Sequence, residues 1–456
     1  MKGLLRDRWV WAAVFVALPI RLFPLWVWGF GATIRDESQY VNLGRAILQG
    51  QGLINPHDWL WAPAYPYLIA AFQWLFPWRI TQTLPPAQCL LGALTCILMA
   101  SLTHRAIGDV RSARVAAWLY ALHPTVAYFS GRLWCESVYG PLLLGAIWGV
   151  LWAREGTWRR AALPGLLLGL CVLMRGVATY LPPLFLLALV WPEVQQGFAD
   201  GWAARRRHVA AMVAALVVTV APYSTQATMK FDGLIISDAT IGNLMYLGNN
   251  DFEPITFDYG NGVLRMSARG AHTRLGRKAC PHAGPVDWNA CETRRGVAWI
   301  RAHPGEFVGR MPVRVAQLVN PNTFLTRSVR WGKYGGLPWA LREGLVAWVA
   351  LWSFLVMLGG TLGAAARARG PYAWMAVGTI TYTVAASAAL YGLTRFRVPI
   401  EPLWIVYLAG VLAHPRQTMA LLGDDRLRLV LALVWVPLLW AHMLWFLPSG
   451  WPGLNW

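Results

Sequence analysis

The chain has 456 residues, 57% hydrophobic and only 13% charged, with a mean hydropathy of +0.42 and a formal charge of +19. A soluble protein of this size would have to cover far more surface with polar side chains. Much of the basic charge sits in short segments between apolar runs, without a dense basic tail or a zinc-finger spacing. That placement points away from nucleic acid and toward anionic headgroups or a phosphate-bearing lipid.

Repeated apolar stretches near or above twenty residues predict an all-α polytopic membrane protein. Many of the 28 Trp flank those stretches, where amphipathic rings favour the headgroup region. The first stretch follows a basic start, as a signal peptide would. It runs on to Phe30 with no small-residue cleavage pattern, so a retained helix is expected. Eleven spans are expected near 8–30, 83–103, 112–131, 134–152, 161–175, 177–192, 208–226, 342–366, 372–391, 396–413 and 427–447. With a cytoplasmic N-terminus, the short inside loops carry 14 Lys and Arg, and the first eight residues add three more. That is the positive-inside bias.

The stretch "APAYPYLIAAFQWLFPW", 62–78, is short and bracketed by Pro63, Pro66 and Pro77. A span there would turn every later basic loop outward, so a surface or shallow re-entrant helix is expected. Three units follow: a transmembrane catalytic module, 1–226, including an external loop at 31–82; an extracytoplasmic loop or small subdomain, 227–341; and C-terminal transmembrane helices, 342–456. The middle unit carries amphipathic patterns at 293–303 and 306–319. Its Cys280 and Cys291 pair as a disulfide if it faces an oxidising compartment and stay as thiols otherwise; both readings stand. Cys89, Cys96, Cys135 and Cys171 lie in or beside apolar runs and read as small core fillers.

Chemistry-bearing residues gather at the expected outer interface. In "RDESQY", Asp36 and Glu37 open an amphipathic helix, either as a cap with Gln39 three residues on or as a reacting pair. Arg132 and Glu136, in "GRLWCES", are one helical turn apart, which a snorkelling ion pair would also explain. "TRFRVPIE" brings Arg395 and Arg397 to the mouth of a late span, and Arg175 marks a tight hairpin. His57 precedes "WAPAYPY". Asp36, Glu37, Glu136 and His57 could converge on a divalent cation, although the sequence has no metal signature, Walker loop or dinucleotide fingerprint, and the metal stays unknown.

Taken in order, "RDESQYVNLGRAILQGQG", "WAPAYPY", "ARVAAWLYALHPTVAYFSGRLWCES", "GLLLGLCVLMRGVATYLPP" and "GLTRFRVPIEPL" resemble membrane glycosyltransferases of the GT-C superfamily. The likeness is to bacterial relatives of protein O-mannosyltransferases and aminoarabinose transferases. It spans most of residues 1–415. The resemblance implies transfer of a sugar, with inversion, from a polyprenyl-phosphate carrier to an extracytoplasmic lipid, glycan or protein hydroxyl, at the bacterial inner membrane. It implies catalytic roles for Asp36, Glu37 and Glu136, Asp36 being the base, and donor-phosphate binding by Arg395, Arg397 and Arg132. Tyr65, His57 and Arg175 are further substrate-binding candidates. The competing readings are a secondary transporter, which would gather its polar groups near the bilayer midplane, and a noncatalytic envelope-polysaccharide assembly protein.

Overall fold

The computed structural model describes residues 3–29, 36–53, 60–77, 79–192, 197–251, 280, 284–321, 323–330, 332 and 336–423. His57 and the helix expected at 427–447 lie outside the described residues. Among the described residues the fold is all helix, with no extended strand.

The first half of the chain contributes α1 (Arg8–Trp28), α2 (Asp36–Leu48), α3 (Ala64–Leu75), α4 (Ile80–Ile107), α5 (Val110–Ala121) and α6 (Pro124–Ser130). It continues with α7 (Glu136–Arg154), α8 (Ala162–Met174), α9 (Pro182–Leu189), α10 (Phe198–Phe231) and α11 (Ile241–Gly248). Several helices in the chain open on proline, at Pro124, Pro182, Pro285 and Pro304, where the missing N–H has no helical partner to lose.

Four helices among the described residues are long and apolar enough to cross a membrane: Arg8–Val27, Ile80–Ile107, Phe198–Phe231 and Trp339–Arg367. These four fall on the spans expected at 8–30, 83–103, 208–226 and 342–366 and describe a polytopic membrane protein. The other expected runs among the described residues form helices that are shorter or less apolar by this measure. The reason lies in how the apolar runs break. The run at 112–131 divides at His123–Pro124 into α5 and α6. The two short spans expected at 161–175 and 177–192 become α8, a 3₁₀ turn at Gly176–Tyr180, and α9. With 13 and 8 residues, α8 and α9 are about 20 and 12 Å long, against a hydrocarbon core of about 30 Å. The helices Glu136–Arg154 and Gly370–Ala389 have the length without the apolarity of those four. The stretch at 62–78 yields the 12-residue α3, about 18 Å, also too short to span.

The core forms where α1, α4, α5 and α7 pack together and the helix Glu401–Ala413 slots against α5. Helix α8 lies against α10 at very short range. A β-carbon on Gly165 would stand 2.2 Å from the Met212 carbonyl, and one on Gly169 would stand 2.7 Å from Thr219. The Gly-xxx-Gly spacing of α8 therefore lets the two backbones touch.

Much of the basic composition is spent on helix ends, whose last carbonyls lack intrahelical donors. Arg21, fully buried, donates to the Tyr120 and Ala121 carbonyls at the end of α5, at 2.9 and 3.1 Å. Arg154 donates to the carbonyls of Ala188, Leu189 and Trp191 at the end of α9. Arg314 does the same for Ala388 and Ala389, and Arg367 for Gly410 and His414. Buried arginines thus join helices by charge-assisted hydrogen bonds where water is scarce.

Candidate active site

Asp36 and Glu37 stand in the first turn of α2, where a negative charge complements the helix dipole. Successive residues on a helix point about 100° apart, so the two carboxylates part company. Glu37 turns inward. It is 1% exposed and accepts a hydrogen bond from the Leu133 N–H at 3.1 Å. Asp36 turns to the open side, and its Oδ2 accepts from Arg395 Nη1 at 2.6 Å. The capping alternative gives way to an ion pair.

Leu133 belongs to the sharp turn between α6 and α7, which also carries Arg132 and Trp134. Gln88 of α4 holds that turn, donating to the Arg132 carbonyl at 2.7 Å while its own Oε1 accepts from the Tyr65 hydroxyl at 2.8 Å. Tyr65 is fully buried and packs edge-on against Tyr40, so it is a post under the turn rather than a group facing a ligand. Arg132 is buried in the turn itself.

The turn delivers Glu136 to the start of α7. Its Oε1 is shared by two guanidiniums, Arg175 Nη1 at 3.0 Å and Arg395 Nε at 3.6 Å. The Phe396 ring sits beside both, 5.3 Å from the Arg175 guanidinium and 5.6 Å from that of Arg395. Trp134 forms a second aromatic wall, 4.9 Å from Arg395. Asp36, Arg395, Glu136 and Arg175 thereby form one alternating chain of charge. Within it the Glu136 side chain is 1% exposed, whereas those of Asp36 and Arg395 are 20% and 17% exposed. Burial works against charge on Arg395, but Asp36 and Glu136 outweigh it and raise its pKa.

Arg397 is not in this cluster. The segment Thr394–Arg397 is a helical turn, and two residues along a helix rotate the side chain by about 200°, so Arg397 faces the opposite way from Arg395. It is 1% exposed, pairs with Glu401, and donates to the Leu318 and Asn320 carbonyls at 3.1 and 3.2 Å. Glu401 in turn meets His123 Nε2 at 2.7 Å. The i,i+4 spacing of Arg397 and Glu401 was the sequence signal for this internal network. The aromatic walls, Trp134 and Phe396, had no such signal among so many aromatic residues.

Farther along the chain, Cys280 and Cys291 form a disulfide. Cys89, Cys96, Cys135 and Cys171 are buried and free. Among the described residues no group of three or more His, Cys, Asp or Glu side chains is placed to hold a metal. Asp36 and Glu136 each face a guanidinium and Glu37 accepts from a backbone amide, while His57, the fourth residue expected to converge on a cation, lies outside the described residues. The cluster sets two guanidiniums, Arg395 and Arg175, beside the partly exposed carboxylate of Asp36 and the buried one of Glu136.

No sequence family and no curated protein matches the chain. Solved structures do. The apo oligosaccharyltransferase of Archaeoglobus fulgidus is similar over 98% of this chain and 57% of its own, with a TM-score of 0.50 and 15% identity. An archaeal oligosaccharyltransferase from the same organism, in complex with an inhibitory peptide and a dolichol-phosphate, covers 97% and 55%, with a TM-score of 0.47 and 15% identity. ArnT from Cupriavidus metallidurans, bound to undecaprenyl phosphate, covers 90% and 77%, with a TM-score of 0.40 and 14% identity. The chain spans little more than half the length of the archaeal chains, and at this identity what it shares with the apo enzyme is the fold.

Proposed function

We propose that this chain is an inverting membrane glycosyltransferase of the GT-C type, taking a sugar from a polyprenyl-phosphate carrier and passing it to a hydroxyl on the outer side of the bacterial inner membrane. The observation that carries this reading is the Asp36–Arg395 pair with Glu136 behind it: a proton acceptor and a phosphate ligand side by side on one partly open face. The shared fold with an oligosaccharyltransferase and the distribution of basic loops support it. The 227–341 segment then lies outside, as an extracytoplasmic subdomain.

The reaction breaks the bond between the sugar C1 and a phosphate oxygen, and the electron pair leaves with the phosphate. Arg395 and Arg175 neutralise the charge that grows on it. Asp36 takes the proton of the incoming hydroxyl as its oxygen bonds to C1 from the opposite face. One displacement needs one base and phosphate stabilisation, not the nucleophile and acid of a retaining glycosidase. Glu136, shielded behind Arg395 and Arg175, orients both. Arg175 takes the place assigned to Arg397 in the sequence reading. No step is routed through a metal.

When donor phosphate arrives, it competes with Asp36 for Arg395. The exchange would release the Asp36 carboxylate from its partner only in the presence of donor. Purified protein in lipid nanodiscs, supplied with a panel of undecaprenyl-phosphate-linked sugars and hydroxyl acceptors, tests the reading. The expected product is a glycoside of inverted anomeric configuration. A retained configuration, or sugar uptake by proteoliposomes without glycoside formation, would refute it.

A further inference from the structure

The mechanism leaves unused one carboxylate that reaches the back of the charge chain. Asp238 lies in the connector between α10 and α11, a segment joined to the α2–α3 loop by the Ala239 N–H, which donates to the Leu60 carbonyl at 3.0 Å. Its carboxylate presses on the backbone of Gly176, the residue after Arg175. A β-carbon on Gly176 would stand 2.2 Å from both carboxylate oxygens. Thr240 Oγ1 donates to Asp238 Oδ2 at 3.1 Å and fixes it from the other side. Burial raises the Asp238 pKa to about 6, while Thr240, the Gly176 amide and Arg175 favour its charged form. Gly176 begins the 3₁₀ turn that ends α8, so whatever holds this turn sets the direction of the Arg175 side chain.

We infer that Asp238 is a positioning residue, whose carboxylate, seated against Gly176 and Thr240, holds Arg175 where it shares an anion with Arg395. The device explains why residue 176 lacks a side chain: any larger residue would displace the carboxylate. It also makes the α10–α11 connector, within the 227–341 segment, part of the phosphate site, since movement of Asp238 is movement of the Arg175 turn. The inference rests on the proposed role of Arg175.

The test measures the affinity of detergent-solubilised protein for undecaprenyl phosphate by tryptophan fluorescence, on variants that elute as folded monodisperse protein. Asp238→Ala and Gly176→Ala approach the same contact from opposite sides. The second leaves Asp238 in the sequence and only pushes its flexible carboxylate aside. Each should raise Kd roughly 10-fold or more, the scale of one charge-assisted hydrogen bond. Asp238→Asn, which keeps an oxygen acceptor of the same shape, should stay within about threefold of the parent, a rescue that general destabilisation would not produce. Arg175→Ala is the control for the underlying reading. If Arg175→Ala weakens binding and Asp238→Ala does not, the inference is wrong and the site assignment stands. If Arg175→Ala leaves Kd unchanged, the assignment of Arg175 fails, and the inference with it.

Discussion

Asp36 and Arg395 are 359 residues apart in sequence and 2.6 Å apart in the fold. The contact brings the first turn of α2 against the short helical turn Thr394–Arg397, so residues far apart in the described chain meet. In the proposed function, donor phosphate displaces Asp36 from this resting pair.

That competition has a measurable sign. Replacing Asp36 by Asn removes the carboxylate that contends for Arg395, so undecaprenyl phosphate should bind this variant more tightly than the parent. Replacing Arg395 by Ala should weaken binding roughly 10- to 100-fold, by loss of a hydrogen bond to a charged group. Titration of both variants by tryptophan fluorescence checks the pair; weaker binding by Asp36→Asn would contradict the competition.

Arg397 should behave unlike its neighbour. Its removal leaves Glu401 buried with His123 as its remaining side-chain partner and strips two backbone carbonyls of their donor. Breaking a buried pair in this way costs about 3–5 kcal/mol. Arg397→Ala should therefore lower the unfolding temperature sharply while the folded fraction keeps its lipid-phosphate affinity. Arg395→Ala should show the reverse pattern, and a common loss of affinity in both variants would return Arg397 to the phosphate site.

Glu292, 1% exposed in the helix Pro285–Ala302, has its pKa raised to about 7, because burial outweighs the nearby Arg295 and Trp288. An ordinary Glu titrates near 4.3. The folded state thus keeps a proton that the unfolded chain gives up between about pH 4 and 7. Stability falls as pH rises through that window, and the loss is complete above it. Thermal unfolding at pH 5 and pH 8 should show the parent more stable at pH 5 from this group, and Glu292→Gln should narrow the difference. An unchanged difference would remove Glu292 as its source. Asp238, raised to about 6, contributes with the same sign and is why the variant narrows the gap without closing it.

How much of this was legible in advance depends on what each residue needed. Apolar length announced a polytopic helical membrane protein, because the bilayer demands it of any chain. The number of long spans was not legible, since His123–Pro124 divides a run that looks continuous by hydropathy, whereas the break at Gly176 was expected from the hairpin at Arg175. Asp36, Glu136, Arg175 and Arg395 could be picked out as charges that an apolar interface tolerates only with partners. Their pairing could not, because it is made across 359 residues, where the first turn of α2 meets the helical turn Thr394–Arg397. Arg397 shows the converse. Adjacent to Arg395 in sequence and identical in type, it points away only because the segment is helical rather than extended.

The most direct test is a single-turnover experiment on Asp36→Asn protein preloaded with an undecaprenyl-phosphate sugar that the parent accepts, followed by addition of acceptor. The account predicts full occupancy by donor and a transfer rate lowered roughly 100- to 10,000-fold, the scale of general-base catalysis. Transfer at the parental rate would contradict it.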